Sequence, residues 1–117
     1  MTAKTIYKIV ARDTWREAEV AGTFKGATID LADGYIHFST AVQARQTAAL
    51  HFKGQHDLLL VTVSTATLGD RLIWEPSRGG DLFPHVYGDL PMEAVSQVNE
   101  LPLGEDGVHA FPALEKL

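Results

Sequence analysis

The stretch Asp57–Ser64, DLLLVTVS, decides how this chain folds. It is a nearly continuous apolar run of strand length, and such runs are typical of strands that are covered on both faces. We therefore predict a central strand here. The segments before and after it are expected to supply the neighbouring strands and the covering helices.

Alternating and helical patterns lie on the N-terminal side of this strand. TIYKIV at Thr5–Val10 alternates, and Lys8 shares one face with two apolar residues, which predicts a first strand. Helices are predicted over Thr14–Ala21 and Thr40–Phe52, and in the second one Thr40 and Gln43 match a capping box. Helices and strands alternate without βαβ regularity, so the predicted class is α+β.

The remaining segments are shorter. Further strands are predicted at Tyr35–Ser39, Leu72–Glu75 and Ala94–Leu101. Phe24–Gly34 is predicted as a loop with a short extended piece around Ala27–Asp30. Residues 77–80 are predicted as a flexible loop, and residues 83–87, which contain a proline, have no clear pattern.

Length and composition restrict the class of protein. The 117 residues, of which 45% are hydrophobic and 21% charged, fit one globular domain. We predict a single domain over residues 1–103 and a C-terminal tail over residues 104–117. Because the chain has no cysteine, disulfides, thiolate nucleophiles and cysteine-based metal sites are excluded.

The net charge of −5 is unevenly distributed. Residues 1–80 carry nine basic and eight acidic side chains, whereas residues 81–117 carry one basic and seven acidic ones. This acidic third argues against a broad nucleic-acid surface, but a small anionic ligand can bind the N-terminal part. No signal peptide and no membrane span is recognisable, so we expect a cytoplasmic protein.

The segment Asp33–Thr40, DGYIHFST, contains the first candidate site. In a strand, the side chains of Tyr35, His37 and Ser39 share one face. This polar face leads into the N-terminus of the predicted helix, where free N–H groups suit a phosphate or a carboxylate. The alternative is that Ser39 and Thr40 only cap the helix and that His37 is a half-exposed strand residue.

Two further segments carry candidate residues. Glu75, beside Trp74, either lies on a solvated strand face or acts at the edge of a cleft as an acid or base. RGGDLFPHVYG at Arg78–Gly88 interleaves aromatic residues and His85 with glycine and proline, and such loops can stack on planar ligands. The alternative is a loop whose aromatic side chains only fill the core.

Five histidines raise the question of a metal. Neither an HxxxH nor an HExxH pair occurs, so no metal site is predicted, and His51, His56 and His109 are interpreted as incidental. A GxSxG motif is also missing, so a serine hydrolase has little support. A hydrolase that uses His37 or His85 as general base is a third hypothesis.

Taken in order, these segments resemble one known family. IYKI, DGYIHFST, DLLLV, WEPSRGG and FPHVYG follow one another here as in the bacterial domain-of-unknown-function family 952, over about Ile6–Val98. The resemblance implies a fold similar to ADP-ribosyltransferases, with two small, mainly antiparallel sheets and flanking helices. In those enzymes a cleft between the sheets binds and cleaves NAD.

The resemblance also implies roles for individual residues. Lys8 stands on the first strand, where the family often has histidine, and would lie near a phosphate of the ligand. Ser39, with Thr40, is the counterpart of a small hydroxyl residue at the nicotinamide end. Glu75 is the candidate for the acid that bonds the ribose 2′-hydroxyl and stabilises an oxocarbenium-like transition state.

The leading hypothesis is therefore a domain with a nucleotide-like pocket that performs NAD-dependent ADP-ribosyl transfer or glycohydrolysis. Its catalytic residues would be Glu75 and His37. NAD would be a substrate, and the sequence identifies no cofactor. The predicted ligand-binding residues are Lys8, Ser39, Thr40, Trp74, Arg78, His85 and Tyr87. The alternative hypothesis is a non-catalytic ligand-binding or protein-interaction module on the same fold.

Overall fold

The computed structural model describes residues 4–114, apart from the side chain of Arg78. The helices are α1 (Arg12–Ala21), α2 (Thr28–Asp33) and α3 (Ala41–His51). The strands are β1 (Thr5–Ala11), β2 (Thr23–Phe24), β3 (Ile36–His37), β4 (Leu58–Ser64), β5 (Leu72–Pro76), β6 (Leu82–Val86), β7 (Leu90–Pro91) and β8 (Val95–Leu101). Short 3₁₀ turns precede β5, β6 and β8.

Strand β4 is the centre of the main sheet. It pairs antiparallel with β1 on one side and with β8 on the other. Its residues from Leu58 to Val63 are all buried, so the apolar run is covered on both faces. The prediction of a central strand over residues 57–64 is therefore confirmed.

The alternation of β1 divides the core into two clusters. Ile6 and Val10 pack with Trp15 of α1 in the larger cluster, on one face of the main sheet. Tyr7 and Ile9 belong to the smaller cluster on the opposite face, which includes residues of α3. Lys8 lies between Ile6 and Val10 and is buried on the side of the larger cluster, where a charge needs a partner.

A second sheet packs against the larger cluster and carries four of the nine predicted site residues, which are His37, Trp74, Glu75 and His85. Its order is β3-β6-β5, and both pairings are antiparallel. Strand β6 places His85 opposite His37 of β3 and opposite Ile73 of β5. A two-stranded β2-β7 pair completes the described sheets. The α+β class with antiparallel sheets is confirmed, with a third small pairing in addition to the two expected sheets.

Helix α2 was not expected. Residues 28–33 form a helix where the sequence predicts a loop with an extended piece, and that prediction is wrong. Six residues are too few to show helical periodicity, and the helix depends on the contacts of its side chains instead. The Asp30 carboxylate accepts a hydrogen bond from Ala27 N at 2.7 Å, and Gly34 ends the helix at a φ of 88°.

Strand β6 was also not recognisable, because Pro84 lies in its middle and proline argues against a central strand. By contrast, helix α3 begins as predicted: Gln43 N donates to Thr40 Oγ1, and Thr40 N donates to the Gln43 side chain. No helix in residues 4–114 is long and apolar enough to cross a bilayer.

The described part of the segment after β8, residues 104–114, returns along the domain. Leu103 and His109 form an isolated bridge, and Ala110 N donates to Pro102 O at 2.8 Å. His109 is buried and its Nε2 lies 2.9 Å from Gln55 O. These contacts hold the segment near the smaller core cluster.

We expect the central strand to dominate the stability of the fold. Leu60→Ala removes a fully buried side chain from β4 and should lower the free energy of unfolding by about 2–5 kcal/mol. Leu50→Ala in α3 is the matched control, because Leu50 is exposed and its truncation should change stability by less than about 0.5 kcal/mol. Urea unfolding of both variants measures the difference, and equal losses would contradict the assignment.

Candidate functional site

A cleft of about 660 Å³ opens between β1, α2, α3 and the β3-β6 pair. Aromatic and aliphatic side chains make up much of its wall, including Ile29, Phe38, Phe52 and Phe83. Four predicted site residues line it, which are Lys8, His37, Ser39 and His85. The structure therefore brings residues from three separate segments of the sequence to one surface.

The buried carboxylate of Asp30 holds one side of this cleft together. It is 1% exposed and lies 2.8 Å and 2.9 Å from Lys8 Nζ through its two oxygens. Its Oδ1 also accepts hydrogen bonds from the His37 backbone N–H at 3.0 Å and faces His37 Nδ1 at 2.6 Å. One side chain of α2 thus joins β1 to β3.

The surroundings of Asp30 favour its charged form. Burial opposes ionisation, but the hydrogen bond from His37 and the charge of Lys8 outweigh it and lower the pKa of Asp30 to about 2. Burial lowers the pKa of Lys8, against the opposing effect of Asp30. Because an ionised carboxylate only accepts hydrogen bonds, His37 Nδ1 carries a proton that it donates to Asp30.

The second nitrogen of His37 faces another carboxylate. His37 Nε2 lies 2.9 Å from Asp33 Oδ2, one turn after Asp30 on the same short helix. The Asp33 side chain is 42% exposed and also lines the cleft. His37 therefore stands between a buried acid and an exposed acid, and a ligand entering the cleft meets the exposed one.

His85 forms a second pairing of an imidazole with a carboxylate. Its Nδ1 lies 2.6 Å from Glu75 Oε1, and the same oxygen accepts a hydrogen bond from Tyr87 OH at 2.9 Å. The hydrogen bonds from His85 and Tyr87 lower the pKa of Glu75, and the bond to Glu75 raises the pKa of Tyr87. Glu75 is thus ionised near neutral pH, so His85 Nδ1 is the donor.

This tautomer leaves the other nitrogen of His85 available. A neutral imidazole that donates through Nδ1 carries a lone pair on Nε2. Within residues 4–114, no hydrogen-bond partner of His85 Nε2 is found, and His85 lines the cleft although it is almost fully buried. A held Nδ1–H and a free Nε2 are what a general base requires.

Tyr35 packs against both imidazoles. Its ring centroid lies 4.7 Å from that of His37, 4.2 Å from that of His85 and 5.2 Å from that of Tyr87. Burial raises the pKa of Tyr35, and the charges of Asp33 and Glu75 raise it further. The Tyr35 ring therefore restricts the orientation of both imidazoles through direct ring contact.

The predicted hydroxyl residues serve two different purposes. Ser39 is buried on the cleft wall, with its Oγ 3.0 Å from Thr47 Oγ1 of α3. Thr40 caps α3 and is not among the described residues that line the cleft. The capping interpretation therefore fits Thr40, whereas Ser39 lies on the cleft wall.

The other predicted residues lie around the cleft rather than on its wall. Glu75 and Tyr87 contact His85 from behind. Trp74 packs against the larger core cluster, and its buried Nε1 has no hydrogen-bond partner in the described part of the chain. Arg78 lies in a 3₁₀ turn, and its side chain falls outside the described residues.

Sequence reasoning missed Asp30 and Asp33 as site residues. Asp30 lies in a segment predicted as a loop, where an acidic residue is typical of the surface. The one available signal is the buried lysine, because Lys8 on an apolar strand face requires an acid that the sequence alone does not identify. His51, interpreted as incidental, also lines the cleft. In residues 4–114 no three histidine, cysteine or carboxylate side chains are placed so that together they could hold a metal ion.

Comparison with known proteins agrees with the resemblance found in the sequence. A family model described as "Protein of unknown function (DUF952)" matches residues 9–98. The chain belongs to the DUF952 family. No curated protein matches it at a significant level.

Solved structures of one other protein, CC0527, share this fold. The crystal structure of protein CC0527 from Caulobacter crescentus is 46% identical and has a TM-score of 0.87, covering 91% of this chain and 93% of its own. A double mutant of CC0527 gives 45% identity, the same coverage and a TM-score of 0.86. Its solution NMR structure gives 46% identity, 91% coverage of each chain and a TM-score of 0.81.

The buried ion pair between Lys8 and Asp30 predicts a large effect of one substitution on the stability of the fold. Asp30→Asn leaves the Lys8 ammonium buried without a counter-charge, so the free energy of unfolding at pH 7 should fall by about 3–5 kcal/mol. Asp70→Asn is the matched control on an exposed acid and should have little effect. Urea unfolding measures both, and a stable Asp30→Asn protein would show that the pair contributes little.

The lowered pKa of Asp30 also predicts how the stability of the fold depends on pH. Its pKa falls from 3.8 to about 2 on folding, so its contribution is present above pH 3.8 and is lost as the pH falls towards about 2. Across this window, the wild type should lose about 2 kcal/mol more than Asp30→Asn does. Unfolding curves at several pH values measure this, and parallel losses in both proteins would refute the assignment.

Proposed function

We propose that this DUF952 domain binds a nucleotide-type ligand in the cleft and cleaves or transfers its ribosyl group, with NAD as the first candidate substrate. The observation that carries the proposal is His85 on the cleft wall, with Nδ1 held by Glu75 and with no hydrogen-bond partner of Nε2 among the described residues 4–114. A histidine in this state can remove a proton from water or from an acceptor hydroxyl as the new bond to the ribose forms.

The charges around the cleft support a reaction that develops positive charge. Asp30, Asp33 and Glu75 supply three carboxylates, while Lys8 is the one ammonium paired with them among the described side chains. Cleavage of a ribosyl bond passes through an oxocarbenium-like transition state, which nearby negative charge stabilises. The ribosyl carbon would therefore bind beside His37 and His85.

This geometry changes the roles that the resemblance implies. Lys8 is held bidentately by Asp30, so its charge is already balanced and attracts a phosphate weakly. Glu75 contacts His85 and Tyr87 through Oε1 and is not among the described residues that line the cleft. We therefore assign Glu75 as a positioning residue that acts through His85. The ADP-ribosyltransferase-like fold is part of this proposal.

One observation favours the alternative of a non-catalytic ligand-binding module. In both pairings the carboxylate is already bonded within the protein, because Asp30 bonds Lys8 and His37 while Glu75 bonds His85 and Tyr87. A cleft with these side chains fixed can bind a ligand selectively without changing it. Turnover is the property that separates the two functions.

Binding of the ligand can be tested by thermal unfolding. If the cleft binds NAD or ADP-ribose, ligand at 100 times its dissociation constant should stabilise the protein by about 2.7 kcal/mol and raise Tm. Ser39→Trp, which would fill the cleft from its wall, should abolish this shift. Val42→Trp on the exposed face of α3 is the control. No shift with either compound would overturn the proposal.

Catalysis can be tested by the release of nicotinamide from NAD. We expect His85→Gln to lower kcat by about 10² or more, because the general base is removed. Glu75→Gln should lower kcat while KM and the Tm shift are preserved, since its effect passes through His85. Glu93→Gln, an exposed carboxylate, should behave as wild type. Binding of NAD without release by the wild type would favour the non-catalytic module.

A further inference from the structure

The two cleft histidines form a matched pair. His37 and His85 are direct partners in the β3-β6 register, and their ring centroids lie 5.4 Å apart at an interplanar angle of 71°. Each Nδ1 lies 2.6 Å from a carboxylate oxygen, of Asp30 in one case and of Glu75 in the other. In both rings, therefore, Nε2 is the nitrogen left for chemistry.

The two Nε2 atoms have different surroundings. His85 Nε2 has no hydrogen-bond acceptor or donor in residues 4–114 and carries a lone pair when Nδ1 donates to Glu75. His37 Nε2 lies 2.9 Å from Asp33 Oδ2, a hydrogen-bond distance at which the nitrogen is the donor and the carboxylate oxygen the acceptor. One ring is thus arranged to accept a proton and the other to donate one.

From this asymmetry we infer that His85 and His37 act as a general base and a general acid on N-ribosyl and O-ribosyl compounds whose leaving group must be protonated, nucleosides being the natural class. This inference rests on the ribosyl cleavage proposed above and extends it beyond NAD. Nicotinamide leaves NAD as a neutral molecule and needs no acid, so a proton donor in the cleft indicates a further substrate class.

The step balances with water as the nucleophile. His85 Nε2 takes a proton from water while the water oxygen forms a bond to the ribose C1′. The bond from C1′ to the leaving nitrogen or oxygen breaks, its electron pair stays with that atom, and His37 Nε2 supplies the proton. The products are free ribose and the neutral base or alcohol, and proton transfer through solvent restores both histidines.

The ion pair between Asp33 and His37 does not prevent this role. The Asp33 side chain is 42% exposed, and exposed pairs contribute little free energy, so a leaving group can displace it from Nε2. Asp30 cannot be displaced, because it is buried and bonded to Lys8 as well. The ring therefore keeps its orientation while its outer nitrogen changes partner.

The cleft walls favour a substrate with a planar, uncharged leaving group over a negatively charged substrate. Phe38, Phe52 and Phe83 line the cleft beside the two histidines, and aromatic walls suit a purine or a phenyl ring. A phosphodiester, the other class that paired histidines can cleave, would bring negative charge to a site that already contains Asp33. The ribosyl substrate is thus the better match.

The test uses three substrates that differ in how much their leaving group needs an acid: inosine, phenyl β-D-ribofuranoside and 4-nitrophenyl β-D-ribofuranoside. The wild type should cleave all three. His37→Gln should slow inosine and the phenyl riboside by about 10² or more but the nitrophenyl riboside by less than about fivefold. His85→Gln should slow all three. His56→Gln, on an exposed residue away from the cleft, is the control.

Each outcome either supports the inference or overturns it. Equal slowing of all three substrates by His37→Gln, or no cleavage of any of them by the wild type, would overturn the inference. If His37→Gln fails to fold, the ratio of the nitrophenyl to the phenyl rate in the wild type decides: a small ratio supports an acid, and a large one refutes it. A Tm shift with NAD but no riboside cleavage would leave the proposed binding function standing and reject this extension alone.

Discussion

The buried ion pair between Lys8 and Asp30 is the interaction on which the cleft depends. Lys8 occupies a position on β1 that an apolar residue would otherwise fill, and Asp30 is the acid that makes this burial tolerable. Because the same carboxylate also bonds the backbone and ring of His37, the pair connects the main sheet, a short helix and the second sheet. A loss of either charge would affect all three.

The pair also explains why a helix of six residues is stable. Helix α2 is too short to form on its own propensity, but Asp30 bonds Ala27 N at its start and two other elements through the same group. Gly26 completes this arrangement, since a Cβ there would lie 2.8 Å from the Asp30 Cβ. Once Asp30 is placed, Asp33 follows one turn later and faces His37.

The sequence was sufficient for the elements that have a strong local pattern. The apolar run of β4, the alternation of β1 and the capping box of α3 each follow from neighbouring residues alone. Strand β6 and helix α2 depend on distant partners: Pro84 has no N–H to donate, but its carbonyl still accepts a bond from Phe38 N, and Asp30 of α2 is held by Lys8. The site divides in a similar way: both histidines, Asp33 and Glu75 lie in segments that the sequence singles out, whereas Asp30, which bonds His37, lies in a segment predicted as a loop.

The distribution of charge determines how a ligand can lie in the cleft. Carboxylates stand behind both histidines, and the one lysine on the wall is neutralised by Asp30, so the inner end of the cleft is unfavourable for a phosphate. The same inner end is favourable for a sugar carbon that becomes positively charged. Under the proposed function, a nucleotide would bind with its ribosyl bond towards His37 and His85 and with its phosphates near the opening, where water screens their charge.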